Sequence, residues 1–455
     1  MRIVLLSGGS GKRLWPLSNG ARAKQFLKVL KDENGKMESM VQRVWRQLGK
    51  YNLEDKTIVA TNSSQVEMLH NQLGQSTPVL VEPERKDTFP AIALAAVYLY
   101  SVEGCSVDEV VGVLPVDPFV EDHFFETIKK LEWGLNETDA ELALLGVKPT
   151  YPSEKYGYII PNGRTKSDFV KVNKFCEKPN ESLAKRLIHQ QALWNCGVFG
   201  FKLGYIIQLL KRWNVPVEYD ALLKYYGQLP SNSFDYEVVE KASNIIALPY
   251  AGYWKDLGTW NTLTDEMDSH VIGNGFISDD VMEACIVNEL DIPIVLMGVE
   301  NVVVAASPDG LLVTDKKSSH KIKQYVSHFQ DCPRYEEYAW GWRRVLEYKQ
   351  KENDAETMTE KVHLTAGSIL NDHKNPNQEV WTVTEGEGVL VLNGEFLDIS
   401  SGFSITIPAA EAYTLKAVGD MEFVVIQNGK QLMENRREKD KTVLHLENPA
   451  FSHNL

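Results

Sequence analysis

Short apolar runs at residues 3–6, 57–60, 79–81 and 110–115 each end in a turn or a polar interruption, and helical spacing fills the gaps between them. Over 39–48 the apolar positions are Met40, Val41, Val44, Trp45 and Leu48; 66–73 and the nearly all-apolar 91–100 are further helices. Continuous runs of three to six such residues suit strands buried on both faces. Strands and helices alternating in this way predict an α/β fold, a mostly parallel sheet with helices on both sides. Ligands of such sheets lie beyond the carboxyl ends of the strands. Residues 7–13, residues 82–88 and Asp117 all fall at those ends.

Beyond about residue 140 the pattern mixes. Strands are expected at 142–147, 156–160 and 170–177, with 194–201 returning to the core and a helix near 205–213. A glycine and aromatic cluster spans 253–260. Short apolar strands between about 275 and 330, including 302–305 and 311–313, predict a small β unit between two larger domains. The charged stretch 347–361 has few apolar residues and predicts a loop or hairpin on the surface. From 362 onward the pattern is all-β, and residues 389–392 run into Asn393-Gly394, a strong two-residue hairpin turn. Residues 403–408 and 423–426 are further strands. The tail, 431–440, is charged, and the chain end is expected to be loosely held.

Composition narrows the classes. The 455 residues suffice for two or three domains, and 43% apolar with 24% charged residues is ordinary for a globular protein. A net charge of −14 argues against a general nucleic-acid binder. It leaves nucleotides open, because a few cations and a metal ion reverse a local potential. Five scattered cysteines without metal-ligand spacing suit reduced thiols. No stretch approaches membrane-spanning length, and the first apolar run is too short for a secretory signal. The expectation is a cytoplasmic protein.

The densest chemistry follows the first strand. Leu6 and Ser7 lead into Gly8, Gly9 and Gly11, then Arg13, with Lys24-Gln25-Phe26-Leu27 behind. Such a turn can aim backbone N–H groups at an anion, and Arg grips phosphate oxygens in pairs. A strand-to-loop connection with surface charges is the plain alternative. Asp117 sits just past a buried strand and Asp256 lies among aromatics. Magnesium would suit both carboxylates, although each alone also reads as a turn or capping residue. Lys178 is placed to reach a phosphate and Asn195 a hydroxyl, while either also reads as structural. No Ser-His-Asp or Cys-His set is visible, which favours direct displacement at phosphorus.

Taken together, residues 8–18 with Lys24-Gln25-Phe26 closely resemble the opening of bacterial mannose-1-phosphate guanylyltransferases, members of the sugar nucleotidyltransferases. Matching stretches follow in the family's order: Glu82-Pro83 through Ala96, Leu114-Pro115-Val116-Asp117, Tyr156-Gly157-Tyr158, Phe175-Cys176-Glu177-Lys178-Pro179, Trp194-Asn195-Cys196-Gly197-Val198-Phe199 and Trp254-Lys255-Asp256-Leu257-Gly258. The resemblance implies transfer of GMP from GTP to mannose 1-phosphate, giving GDP-mannose for polysaccharide biosynthesis. It implies nucleotide contacts from Leu6, Ser7, Gly8, Gly9, Gly11, Glu82, Arg85 and Thr88, and catalytic roles for Arg13 and Lys24. Asp117 and Asp256 would hold Mg²⁺; Gly157, Glu177, Lys178 and Asn195 would hold the sugar phosphate. The chain departs from the family at Pro118, where His is common, and at Ala23. It departs again at Lys86-Asp87-Thr88-Phe89-Pro90, where Arg-Asn-Thr-Ala-Pro is usual.

The C-terminal part resembles the cupin domain of type II mannose-6-phosphate isomerases, beginning at Trp340-Gly341-Trp342. Its first motif maps onto Gly367, His373, Asn375, Glu379 and Gly386, its second onto Gly402, Pro408, Ala410 and Tyr413. Two of the three metal histidines are thus Asn375 and Tyr413, which implies a degenerate site without isomerase activity. The expected division is 1–270, nucleotidyltransferase; 271–335, a small connecting β unit; and 336–455, a cupin kept for packing, dimerisation or sensing. Two other classes stay open: transfer to another sugar 1-phosphate or from another NTP, and a non-catalytic nucleotide-sugar sensor.

Overall fold

The computed structural model describes residues 1–9, 12–163, 168–326, 328–329, 333–351, 354–372, 375–433 and 436. Two compact units divide the chain. The first comprises Met1–Gly9, Lys28–Val66 and Leu73–Gly258; the second comprises Ser10–Leu27, Glu67–Gln72 and Thr259–Leu455.

In the first unit the apolar runs become β1 (Arg2–Leu6), β2 (Thr57–Asn62), β3 (Val79–Glu82) and β4 (Val110–Pro115). These four pair in parallel, in the order β3-β2-β1-β4. The short ribbon strand β5 (Pro118–Val120) follows β4. The sheet then continues through β9 (Leu193–Lys202), β6 (Leu142–Val147), β10 (Ile245–Tyr250), β8 (Val170–Cys176) and β7 (Tyr158–Pro161). Strand β9 runs antiparallel to both β4 and β6, so the second half of the nine-stranded sheet is mixed. Helix α1 (Met40–Lys50) starts at Ser39, which forms a reciprocal capping box with Gln42. Helix α2 (Thr88–Ser101) is apolar on every side because it lies in the core, with Phe89 through Val97 buried beside the sheet and α3 (Leu203–Arg212).

Register explains why ligand-type residues meet. Leu6 pairs with Ala60 on one side and Pro115 on the other, and Asn62 pairs with Glu82. Parallel strands of matched register bring Ser7, Glu82 and Asp117 out at one sheet edge.

The second unit holds a small β layer and a barrel. Strands β12 (Val271–Ile272), β14 (Cys285–Asn288) and β16 (Val302–Ser307) pair in parallel, and β17 (Gly310–Asp315) closes a hairpin on β16. Beside them, β13 (Gly275–Ile277) pairs in parallel with β15 (Ile294–Leu296). The barrel is made of two sheets. One is β18 (Tyr335–Tyr338), β19 (Gly341–Gln350), β20 (Glu356–Leu364), β27 (Met421–Gly429), β22 (Glu379–Glu385) and β25 (Ser404–Ile407), in that spatial order. The other runs β21 (Ile369–Asp372), β26 (Tyr413–Ala417), β23 (Glu387–Leu392) and β24 (Glu395–Ser400). Trp381, Leu390, Leu415 and Phe423 lie in the core.

The charged stretch 347–361 departs from expectation. It forms a hairpin, but not a surface one: β19 and β20 pair along their length, and β20 is an inner strand of the six-stranded sheet. Glu356, Met358, Glu360, Val362 and Leu364 alternate onto its buried face. Two inward glutamates disguised a period-2 strand. Each meets the tail: Leu432 N–H donates to Glu356 at 2.6 Å, and the Arg436 guanidinium forms ion pairs with Glu360 at 3.0 Å and Glu336 at 2.7 Å. Leu432 and Arg436 are accordingly buried.

Candidate active site

The glycine turn is held from below. Ser7 N–H donates to Ala60 O at 2.8 Å, Thr61 Oγ1 to Ser7 O at 3.3 Å, and Gln65 Nε2 to Gly9 O at 3.2 Å. Gly8 lies against Glu82: a Cβ there would stand 3.0 Å from Glu82 Oε1. Burial pushes the Glu82 carboxyl up, while the hydrogen bond from Tyr226 Oη to Oε2, at 2.8 Å, pulls it back. Arg85 donates to Asn62 Oδ1 at 3.1 Å and Ser64 Oγ at 3.2 Å, and burial lowers its pKa. Asp87 takes a positive φ and accepts Thr88 N–H at 2.7 Å, a helix cap that Asn or Asp can make. The Thr88 hydroxyl accepts Phe234 N–H at 2.9 Å. Gly11 lies outside the described residues.

The two aspartates are brought together by a ribbon. Strand β5 pairs antiparallel with β11 (Trp254–Asp256), and Asp256 faces Pro118, the residue after Asp117. Two residues 139 positions apart in sequence are thus brought to the same end of one ribbon, offset by a single residue from a shared rung. Both carboxylates line a cleft of about 180 Å³ that also includes Tyr156, Gly157, Glu177 and Asn195. Burial, then the charge of Asp256, pushes the Tyr156 phenol up, keeping it an O–H donor. Among the described residues no three His, Cys, Asp or Glu side chains converge as a metal cage. Two hard oxygen donors suit an ion that takes its remaining ligands from phosphates and water.

Across the cleft, Asn195 is nearly buried just before a bulge in β9, where its register against β6 shifts between Asn195 and Phe199. Its backbone N–H donates to Gly157 O at 2.8 Å. Its side-chain Nδ2 donates to Asp235 Oδ1 at 2.8 Å, while Oδ1 accepts Gly197 N–H at 3.2 Å. Glu177 accepts an ion pair from Lys178 at 2.7 Å through Oε1. Its Oε2 is buried with no hydrogen-bond partner among the described residues. Burial lowers the Lys178 ammonium, but the Glu177 hydrogen bond and charge outweigh it and hold the pKa up. Gly157 has no room for a side chain, since a Cβ would lie 2.5 Å from Glu177 Oε2 and 2.6 Å from Phe175 Cζ.

Arg13 and Lys24 belong to the second unit. Each sits on a single 3-10 turn, Lys12–Leu14 and Lys24–Phe26. Their segment is anchored there: Trp260 Nε1 donates to Trp15 O at 3.0 Å, Ser307 Oγ to Pro16 O at 2.7 Å, and Asn19 Nδ2 to Asp309 at 2.6 Å. Arg22, buried, pairs with Glu289 at 2.7 Å. The opening motif is therefore split: its strand and first glycines go with the sheet, its cations with the β layer.

Residues 2–270 match the model of the nucleotidyl transferase family, more than half of the chain. The chain belongs to the nucleotidyl transferase family. Residues 361–427 match the cupin domain family. This nucleotidyl transferase is 28% identical over 469 residues to xanthan biosynthesis protein XanB of Xanthomonas campestris pv. campestris (strain B100), covering 95% of this chain and 96% of that protein. It is 28% identical over 475 residues to mannose-1-phosphate guanylyltransferase of Salmonella muenchen, at 95% and 96% coverage. A solved structure described as mannose-1-phosphate geranyltransferase from Thermus thermophilus superposes with a TM-score of 0.62. It is 27% identical and covers 72% of this chain and 99% of that one.

In the barrel of this nucleotidyl transferase, the buried Glu379 accepts from amide and indole N–H donors. Asn375 Nδ2 and Gln427 Nε2 (2.8 Å) reach Oε1, and Trp381 Nε1 reaches Oε2 at 2.8 Å. Asn375, Glu379 and Gln427 line a cavity of about 70 Å³ shared with Tyr413 and Arg436. His373 lies outside the described residues. No helix among the described residues is long and apolar enough to cross a membrane.

Sequence reasoning left three residues out: Asp235, Tyr156 and Tyr226. Tyr156 carried a signal, its place in Tyr156-Gly157-Tyr158. Asp235 and Tyr226 lie in an unremarkable polar stretch, and only folding sets them against Asn195 and Glu82.

Proposed function

We propose that the chain transfers GMP from GTP to α-D-mannose 1-phosphate, releasing pyrophosphate and forming GDP-mannose. The observation that carries this reading is the β5–β11 ribbon, which sets Asp117 and Asp256 in one cleft with Asn195 and Glu177. The name of the Salmonella muenchen relative, mannose-1-phosphate guanylyltransferase, matched over 96% of its length, supports the choice of substrates. A sugar-phosphate oxygen attacks the α-phosphorus in line, and the bond to the β-phosphate breaks with its electron pair leaving on pyrophosphate. Asp117 and Asp256 would hold Mg²⁺, which when bound neutralises charge on the phosphates. Residues 6–9 and 11 and the side chains of Glu82, Arg85 and Thr88 are assigned to the nucleotide. Gly157, Glu177, Lys178 and Asn195 are assigned to the sugar phosphate. Arg13 and Lys24 are assigned the charge of the leaving and reacting phosphates on their motif.

The test is pyrophosphate release with Mg²⁺ across four NTPs and a panel of sugar 1-phosphates, with GTP and mannose 1-phosphate expected to be fastest. A preference for UTP or dTTP would overturn the guanylyl assignment, and turnover with no pair would favour a nucleotide-sugar sensor. The barrel is read as a cupin without isomerase activity.

A further inference from the structure

The cleft contains a carboxylate that the family motif leaves without a role. We propose that Asp235 is a sugar-positioning residue: Oδ1 fixes the Asn195 amide, and Oδ2 accepts a sugar hydroxyl beside the one taken by Glu177, so the subsite reads a vicinal diol. This rests on the nucleotidyltransferase reading above.

Three observations converge on it. First, the Asn195 amide has one orientation. Gly197 N–H needs the acceptor Oδ1, so Nδ2 must face Asp235, and it does so at 2.8 Å. Removing the Asp235 acceptor would free that amide to turn. Second, Asp235 and Glu177 line the same cleft, and Glu177 Oε2 is a buried oxygen with no hydrogen-bond partner among the described residues. An acceptor oxygen without a donor among the described residues, set beside a second carboxylate in one cleft, calls for a ligand that brings two O–H groups. A pyranose carrying hydroxyls on adjacent carbons does that. Third, the backbone fixes where Asp235 stands: it lies in the short helix Phe234–Glu237, whose first N–H groups are taken by Thr88 Oγ1 at 2.9 Å and Ser233 Oγ at 3.4 Å.

The charge state of this group gives the test its handle. Burial, then the negative charge of Glu177, pushes the Asp235 carboxyl up to about 7. Asp87 adds to that rise, Lys178 opposes it, and Tyr236 and Glu237 are the titratable neighbours on its own helix. An ionised carboxylate accepts a hydroxyl more strongly than a protonated one. Sugar affinity should therefore strengthen as pH rises through about 7.

The experiment compares Asp235→Asn with the wild type, measuring KM for sugar 1-phosphate and for GTP separately between pH 5.5 and 8.5. Titration of the substrates themselves is common to both proteins and cancels. We expect the substitution to raise the sugar KM about tenfold or more at pH 8, leave the GTP KM within about twofold, and abolish the pH step in the sugar KM. Wild-type enzyme with 2-, 3- and 4-deoxy hexose 1-phosphates is the second arm, independent of whether the variant folds. One of these analogues should lose the pH step. Unchanged sugar KM in a folded variant, equal effects on both substrates, or a step that persists with every deoxy analogue would overturn the assignment. Absence of turnover in the wild type with every substrate pair would instead overturn the reading on which it rests.

Discussion

At the scale of single residues, the cleft depends on side chains whose chemistry is fixed by what they touch. Asp117 and Asp256 reach one cleft through a single ribbon, so neither substitutes for the other. Asp117→Ala or Asp256→Ala is expected to lower kcat at least about a hundredfold with the circular dichroism spectrum unchanged; near-normal turnover would remove the metal assignment. Gly157 makes a steric prediction. A methyl group would stand 2.5 Å from Glu177 Oε2, so Gly157→Ala should displace that carboxylate. The expected outcome is a sugar-phosphate KM raised about tenfold with little change for GTP, since overpacking by one methyl costs about 1–3 kcal/mol. Asp87 shows how a departure from a family pattern can be structural. It replaces an asparagine, yet its geometry is that of a helix cap.

At the scale of elements, the barrel is locked by its own tail. Arg436 is buried between Glu336 and Glu360, and Glu336 keeps a second partner in Arg343 at 3.0 Å whereas Glu360 would be left with a buried, uncompensated charge. Arg436→Ala should cost about 3 kcal/mol in urea denaturation, and a double-mutant cycle with Glu360→Gln should recover part of it. The same barrel presents Glu379 as an acceptor already filled by amide and indole donors. No interconversion of mannose 6-phosphate and fructose 6-phosphate is expected with added Zn²⁺, Mn²⁺ or Co²⁺. Measurable isomerisation would show that these donors release the carboxylate.

At the scale of the whole molecule, the family match and the folding units divide the chain differently. Residues 2–270 match the nucleotidyl transferase family, yet the segment carrying Arg13 and Lys24 is held by Glu289, Ser307 and Asp309, all beyond that boundary. A fragment of residues 1–270 retains Asp117, Asp256, Glu177 and Asn195 but loses those anchors. It is expected to lose turnover in the pyrophosphate assay, and full activity in that fragment would show that the segment holds its conformation without them.

Much of this was legible in the chain itself. Short apolar runs bounded by glycine and proline determined where the strands of the first unit lie, because such runs can be buried only as strands or core helices and their lengths decide between the two. The ordered motifs gave the family. What the pattern could not carry was any relation set by pairing register. Asp117 meets Asp256 through an antiparallel ribbon, and Asp235 meets Asn195 through a bulge, and neither bond leaves a trace in local periodicity. The stretch 347–361 failed for the opposite reason: its glutamates hid a buried strand, since the cations and backbone groups that meet them lie more than 70 residues downstream. Local hydrophobicity determines the elements; partners distant in sequence decide which polar groups those elements can bury.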